Sequence, residues 1–123
     1  KCASPKSQVV CVIGDGGFGY SLQELSTAVK YGINVIAIVF VDNALGASLH
    51  DQTTKYHNRI IGTNLQNPDF VLAAEAFGAK GIKTTPQNIK IALEEALSSN
   101  QPCVIEVPIP PLLKPPFQVP LLR

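Results

Sequence analysis

The sequence predicts an α/β fold: a parallel sheet with helices on both faces. Three observations carry this. Residues 8–13 (QVVCVI), 34–41 (NVIAIVFV) and 103–107 (CVIEV) are nearly unbroken apolar runs rich in β-branched residues, the pattern of strands buried on both faces. The segments between them repeat apolar residues at helical spacing. Polar or Gly-rich turns follow the first two runs directly. Strands that alternate with helices lie parallel and are joined by right-handed crossovers.

Taken in order, the first strand ends in Gly14-Asp15-Gly16-Gly17. Ser21-Leu22-Gln23-Glu24 fits a capping box, in which Ser21 caps the third helical N–H and Glu24 reaches back to the N–H of Ser21. Leu22, Leu25, Ala28 and Val29 give the buried stripe, and Gly32 the left-handed stop. After the second strand, residues 42–66 form a long polar connection with a short helical stretch near 51–57. Connections of that length in a compact domain are frequently functional. Asn67-Pro68-Asp69 starts the next helix, with Asn67 as N-cap, Pro68 in the first position and an acid at the positive dipole end. That helix runs to Phe77 and stops at Gly78. Residues 81–84 are a short strand. Thr85-Pro86 opens a last helix, with Ile89, Ile91, Leu93 and Leu97 apolar, before the final strand at 103–107. The last sixteen residues hold six of the ten prolines, so an extended tail closes the chain.

The 123 residues are one domain's worth of chain. Hydrophobic residues at 46% and charged ones at 15% exclude a disordered segment. A net charge of +1 offers no field for nucleic acid or anionic lipid. The longest apolar run, Val35 to Val41, is far too short to span a bilayer. Cys2, Cys11 and Cys103 are widely spaced and form no CxxC pair. That argues against a disulfide framework or a zinc site and favours the cytoplasm. The chain opens on Lys and holds no Met, which suggests a piece of something longer.

Ligands of parallel sheets bind at the carboxyl ends of the strands. Here those positions are residues 14–20 and 42–48. Gly14-Asp15-Gly16-Gly17-Phe18-Gly19 matches GxGxxG, and Asp42 ends the next strand 23 residues after Gly19. The pattern fits a dinucleotide fingerprint. The chemistry favours another reading. Asp15 would sit beside the diphosphate, and a carboxylate there is repulsive unless a cation lies between them. Asn43 offers a second oxygen at the end of the adjacent strand. A hard ion such as Mg²⁺ takes one or two side-chain oxygens and completes its octahedron with carbonyl, water and phosphate oxygens. Gly16 and Gly17 would then open the backbone for the diphosphate at the start of the Ser21 helix.

GDG followed after an interval by Asn resembles the thiamine-diphosphate-binding signature. The stretch VVCVIGDGGFGYSLQELSTAVKYGINVIAIVFVDNALG is similar to the acetolactate synthase group of that superfamily. IGTNLQNPDFVLAAEAFGAKG and PCVIEVPI extend the likeness over residues 8–109. The resemblance implies that residues 1–109 are the C-terminal part of a diphosphate-binding domain, incomplete at the N-terminus, and that 110–123 are a Pro-rich tail. It implies thiamine diphosphate and Mg²⁺ as cofactors, with Asp15 and Asn43 ligating the metal by side-chain oxygens and Leu45 by its carbonyl. Gly14, Gly16, Gly17 and Gly46 complete the implied cofactor site. Leu45 stands where relatives commonly carry Gly or Tyr, which affects pocket shape more than metal binding. The resemblance also implies a 2-oxo acid substrate, a homodimer or homotetramer, and an activating glutamate in a pyrimidine-binding domain that no residue here matches.

The remaining candidates read as structural. Glu24 is a capping acid, and Cys11 and Cys103 are core residues within strands. His50 and His57 lie seven apart, not at the i, i+4 spacing of a metal pair, and read as loop histidines. His50 and Gln52 are secondary candidates for contact with substrate.

Overall fold

β1 (Val9–Gly14), β2 (Val35–Val41), β3 (Lys80–Lys83) and β4 (Cys103–Pro108) form one sheet in the order β1-β2-β4-β3, every neighbouring pair parallel. The computed structural model describes residues 1–111, so the expected Pro-rich tail lies outside the described residues beyond Pro111. The helices are α1 (Asp15–Gly19), α2 (Glu24–Lys30), α3 (Gly46–Thr54), α4 (Phe70–Ala76) and α5 (Ile89–Ser99), the last entered through a 3₁₀ turn at Pro86–Asn88. Among the described residues no helix is long and apolar enough to cross a membrane.

The two central strands explain the two-faced apolar pattern. Ala37, Val39 and Val104 point to one face and pack against Phe18, Leu25, Phe70 and Ala74 of α1, α2 and α4. Ile36, Ile38, Cys103, Ile105 and Val107 point to the other and pack against Ala92 and Ala96 of α5. Phe70 is fully buried and meets Phe18 edge to face, with ring centroids 5.4 Å apart. Burial of one such side chain contributes about 1.5–3 kcal/mol. Gly32 and Gly78, both at positive φ, end α2 and α4 as expected.

Several local expectations are corrected. Within the sheet that these residues form, β1 lies at the edge, with an apolar face uncovered. Val10 and Val12 pair with Ile36 and Ile38 on the α5 side, yet α5 packs on β4 and β3 and leaves Val12 67% exposed. Cys11 is exposed as well, so of the two strand cysteines only Cys103 is a core residue. Burial pushes the Cys103 thiol up to about 11. The capping box does not form. α2 begins at Glu24, the Ser21 hydroxyl donates to the Phe18 carbonyl, and Glu24 accepts from the Thr27 hydroxyl. The chain turns once at α1 before α2, so a Ser21 start would fall inside that turn. Ile91 is 65% exposed, because the buried stripe of α5 runs Ile89, Ala92, Leu93, Ala96, Leu97 and Ile91 points away from it. The helical stretch of the long connection is Gly46–Thr54, not 51–57.

Candidate functional site

Asp15 is the first residue after β1 and is only 2% exposed. One carboxylate oxygen, Oδ1, accepts the Gly16 N–H at 2.8 Å. The other, Oδ2, accepts the Asn43 N–H at 2.8 Å and the Asn67 side-chain Nδ2–H at 2.6 Å. One side chain thus ties the end of β1 to the end of β2 and to the segment before α4. No ion pair among the described residues involves it. Three N–H donors fill three of about four lone-pair sites and leave one on Oδ1.

Asn43 follows β2 at φ +58°, a left-handed conformation that asparagine tolerates better than most residues. Its N–H points to Asp15, its carbonyl accepts the Leu65 N–H at 2.8 Å, and its side-chain Oδ1 accepts from Asn67 Nδ2 at 3.0 Å. An isolated antiparallel bridge joins Ala44 to Asn64, and the Leu45 N–H donates to the Thr63 carbonyl at 2.8 Å. Residues 43–45 are therefore held along 63–65. The Leu45 carbonyl accepts the Leu49 N–H at 2.9 Å and keeps one lone pair.

Gly16 is closely covered by two leucine side chains. A Cβ there would lie 2.6 Å from Leu45 Cδ2 and 3.2 Å from Leu65 Cδ1. The Leu45 and Leu65 side chains therefore cover Gly16. A Cβ at Gly14 would meet nothing within 4 Å. Gly14, Asp15, Gly16, Gly17, Leu45 and Gly46 all line one cleft of about 380 Å³. Asn43 stands between Asp42 and Ala44, which line it too. A larger cavity of about 510 Å³ lies beside Tyr31, Asn34 and Asn100, where the chain enters β2 and leaves α5. It sits at the amino ends of the strands, away from the carboxyl-end crevice where parallel sheets bind ligands.

Of the predicted site residues, Gly14, Asp15, Gly16, Gly17, Leu45 and Gly46 line the smaller cleft and Asn43 adjoins it, while other residues take different places from those expected. Gly16 and Gly17 lie within α1, not at the start of a Ser21 helix. The cap of α4 is Asp69, whose carboxylate accepts the Leu72 N–H at 3.0 Å. Asn67, read as that cap, instead faces Asp15 and Asn43. The sequence held a signal: Asn67 and Asp69 are two capping residues for one helix end, so one was spare. Gln52 is largely committed within the protein, with one Nε2–H left over. Its amide clasps the Ile61 backbone in both directions, at 2.9 and 3.1 Å, and accepts from the buried Thr63 hydroxyl at 3.4 Å. His50 lies in α3 and is half-buried. Glu106 was missed. It is 5% exposed, accepts the Phe70 N–H at 3.0 Å and pairs with Lys83 at 2.7 Å. A single acid inside an apolar strand was the signal, since a buried charge needs a partner.

The donor set fits a hard divalent cation with a diphosphate. Asp15 presents a buried carboxylate without a cation of its own, Asn43 a neutral oxygen, and Leu45 a carbonyl. No group of three His, Cys, Asp or Glu side chains able to hold a metal occurs among the described residues. A Mg²⁺ held by these residues would take its remaining oxygens from ligand and water.

Comparison with known proteins identifies the family. Residues 1–107 match the family model for the thiamine pyrophosphate enzyme, C-terminal TPP binding domain. YdaP of Bacillus subtilis is 40% identical over 114 residues, which is 89% of this chain and 20% of that protein. The acetolactate synthase large subunit of Haemophilus influenzae is 42% identical over 100 residues, 80% of this chain and 18% of that subunit. The crystal structure of benzoylformate decarboxylase from Polynucleobacter necessarius superposes with a TM-score of 0.83 at 35% identity, covering 93% of this chain and 22% of that one. The chain spans about one fifth of the length of the curated relatives it matches.

Proposed function

The chain belongs to the thiamine pyrophosphate enzymes as their C-terminal, cofactor-binding domain, and from that premise we propose that it anchors the diphosphate of thiamine diphosphate through Mg²⁺ in an enzyme that decarboxylates a 2-oxo acid and passes the acyl carbanion equivalent to a carbonyl acceptor. Asp15 and Asn43 would hold the metal by side-chain oxygens and Leu45 by its carbonyl. Gly14, Gly16, Gly17 and Gly46 would lie along the diphosphate. When bound, the cofactor supplies the carbanion stabilisation that the reaction needs. The chain's own part is to bind, orient and neutralise. In this reading the activating glutamate lies outside the chain, the intact protein is a cytoplasmic homodimer or homotetramer, and its substrate is a small 2-oxo acid.

The observation that carries the proposal is the buried Asp15 carboxylate, held by three N–H donors and no cation, in the wall of a glycine-lined cleft. The similarity to an acetolactate synthase favours carbon–carbon ligation. The likeness to a benzoylformate decarboxylase supports a second reading, a decarboxylase that releases an aldehyde.

Two measurements on the intact protein test this. Thiamine diphosphate with Mg²⁺ should raise the thermal midpoint, whereas NAD should not, because a ligand that binds only the native state stabilises it. Product analysis with pyruvate should then show acetolactate; acetaldehyde alone selects the decarboxylase reading. A thermal shift with NAD and none with thiamine diphosphate overturns both.

A further inference from the structure

We propose that Asn67 is a positioning residue for the metal site: its one side-chain NH₂ group sets the orientation of both side-chain oxygens that the metal is to use. The inference rests on the Mg²⁺ reading of Asp15 and Asn43 above.

The hydrogen-bond chemistry admits one arrangement. A carboxylate only accepts, so the Asn67 atom 2.6 Å from Asp15 Oδ2 is the amide nitrogen. The same nitrogen lies 3.0 Å from the Asn43 side chain, so the Asn43 atom facing it is the amide oxygen. Without Asn67, nothing on that side distinguishes the two ends of the Asn43 amide. Turned over, Asn43 would offer a cation two N–H groups in place of an oxygen. On Asp15 the second Asn67 N–H completes Oδ2, already bonded to the Asn43 N–H, and leaves the free lone pair on Oδ1.

Asn67 is anchored independently of the site it serves. Pro68 restricts its backbone to extended conformations. Asp69 caps α4. The next residue, Phe70, is fully buried, and its N–H is held by Glu106 on β4. The amide group thus rests on the sheet through contacts that do not involve Asp15 or Asn43. A donor fixed in this way preorganises ligands before the ion arrives, and outer partners of this kind typically change metal affinity 10–100-fold when removed.

The test is calorimetric titration of Mg²⁺ into the intact protein at saturating thiamine diphosphate, comparing wild type with Asn67→Leu, which keeps the shape and removes both N–H groups. Asn67→Ala, which adds no bulk, takes the same measurement if the leucine variant does not fold. The Mg²⁺ Kd should rise at least about tenfold. Thiamine diphosphate affinity at saturating Mg²⁺ should stay within about twofold of wild type, since excess metal overcomes a loss of preorganisation but not a collapsed site. A Mg²⁺ Kd within twofold of wild type in a folded variant overturns the inference. So does a loss of cofactor affinity that excess Mg²⁺ fails to restore, which would make Asn67 a structural support only. Failure of the wild-type protein to bind Mg²⁺ with thiamine diphosphate sinks the underlying reading instead, and the two failures are distinguishable.

Discussion

Asp15 and Glu106 are both nearly buried carboxylates on the same face of the sheet's carboxyl end, and their surroundings differ in one respect. Glu106 has a cation of the chain's own: Lys83 at 2.7 Å, along with the Phe70 N–H. Asp15 has three N–H donors and no cation. N–H groups solvate a negative charge without cancelling it. The Glu106 arrangement is closed and joins β3, β4 and α4. The Asp15 arrangement keeps a net negative charge at the wall of a cleft, which is what a site for an external cation requires. In the proposed reading, the difference separates a carboxylate that serves the fold from one that serves a ligand.

The largest effect should come from Asp15→Asn, which removes the charge and also turns one accepting oxygen into an NH₂ that faces an N–H donor. Asp15→Asn keeps the volume, and calorimetry should show Mg²⁺-dependent cofactor binding weakened at least about 100-fold, or roughly 2.7 kcal/mol. Undiminished affinity breaks the contrast at its functional end. Glu106→Met should act the other way, on the fold. It leaves the buried Phe70 N–H without its acceptor and should lower unfolding stability by about 1–3 kcal/mol in denaturant melts.

The smallest effect concerns Lys83, which is more than half exposed and therefore largely screened. Lys83→Met should cost about 1 kcal/mol near neutral pH. The hydrogen bond and charge of Glu106 raise the Lys83 pKa above its ordinary 10.5. A group whose pKa is raised by folding gives its full stabilisation below the unfolded pKa and loses it as pH rises through the folded one. The stability gap between wild type and Lys83→Met should therefore be constant from neutral pH up to about pH 10.5 and shrink above it. A gap that closes between pH 5 and 8 instead would show that another group carries the pairing.

Local patterns decided the elements. The apolar runs at β2 and β4, the stripe from Leu22 to Val29 and the stops at Gly32 and Gly78 are properties of a few neighbouring residues, and each is found as read. The GDG turn and Asn43 were legible too, because a carboxylate among glycines at a strand end is chemically odd wherever it occurs. What the sequence by itself could not decide was which neighbour each residue meets. QVVCVI and CVIEV look alike, yet β1 lies at an edge and β4 in the middle, and only the strand order β1-β2-β4-β3 says so. Asn67 lies 52 residues from Asp15 in the chain, and Lys83 and Glu106 lie 23 apart. A hydrogen bond needs direction and separation to within tenths of an ångström, and those are set by the packing of α4 on the sheet. The chain's local chemistry determined what each residue could donate or accept, and the tertiary structure alone determined to whom.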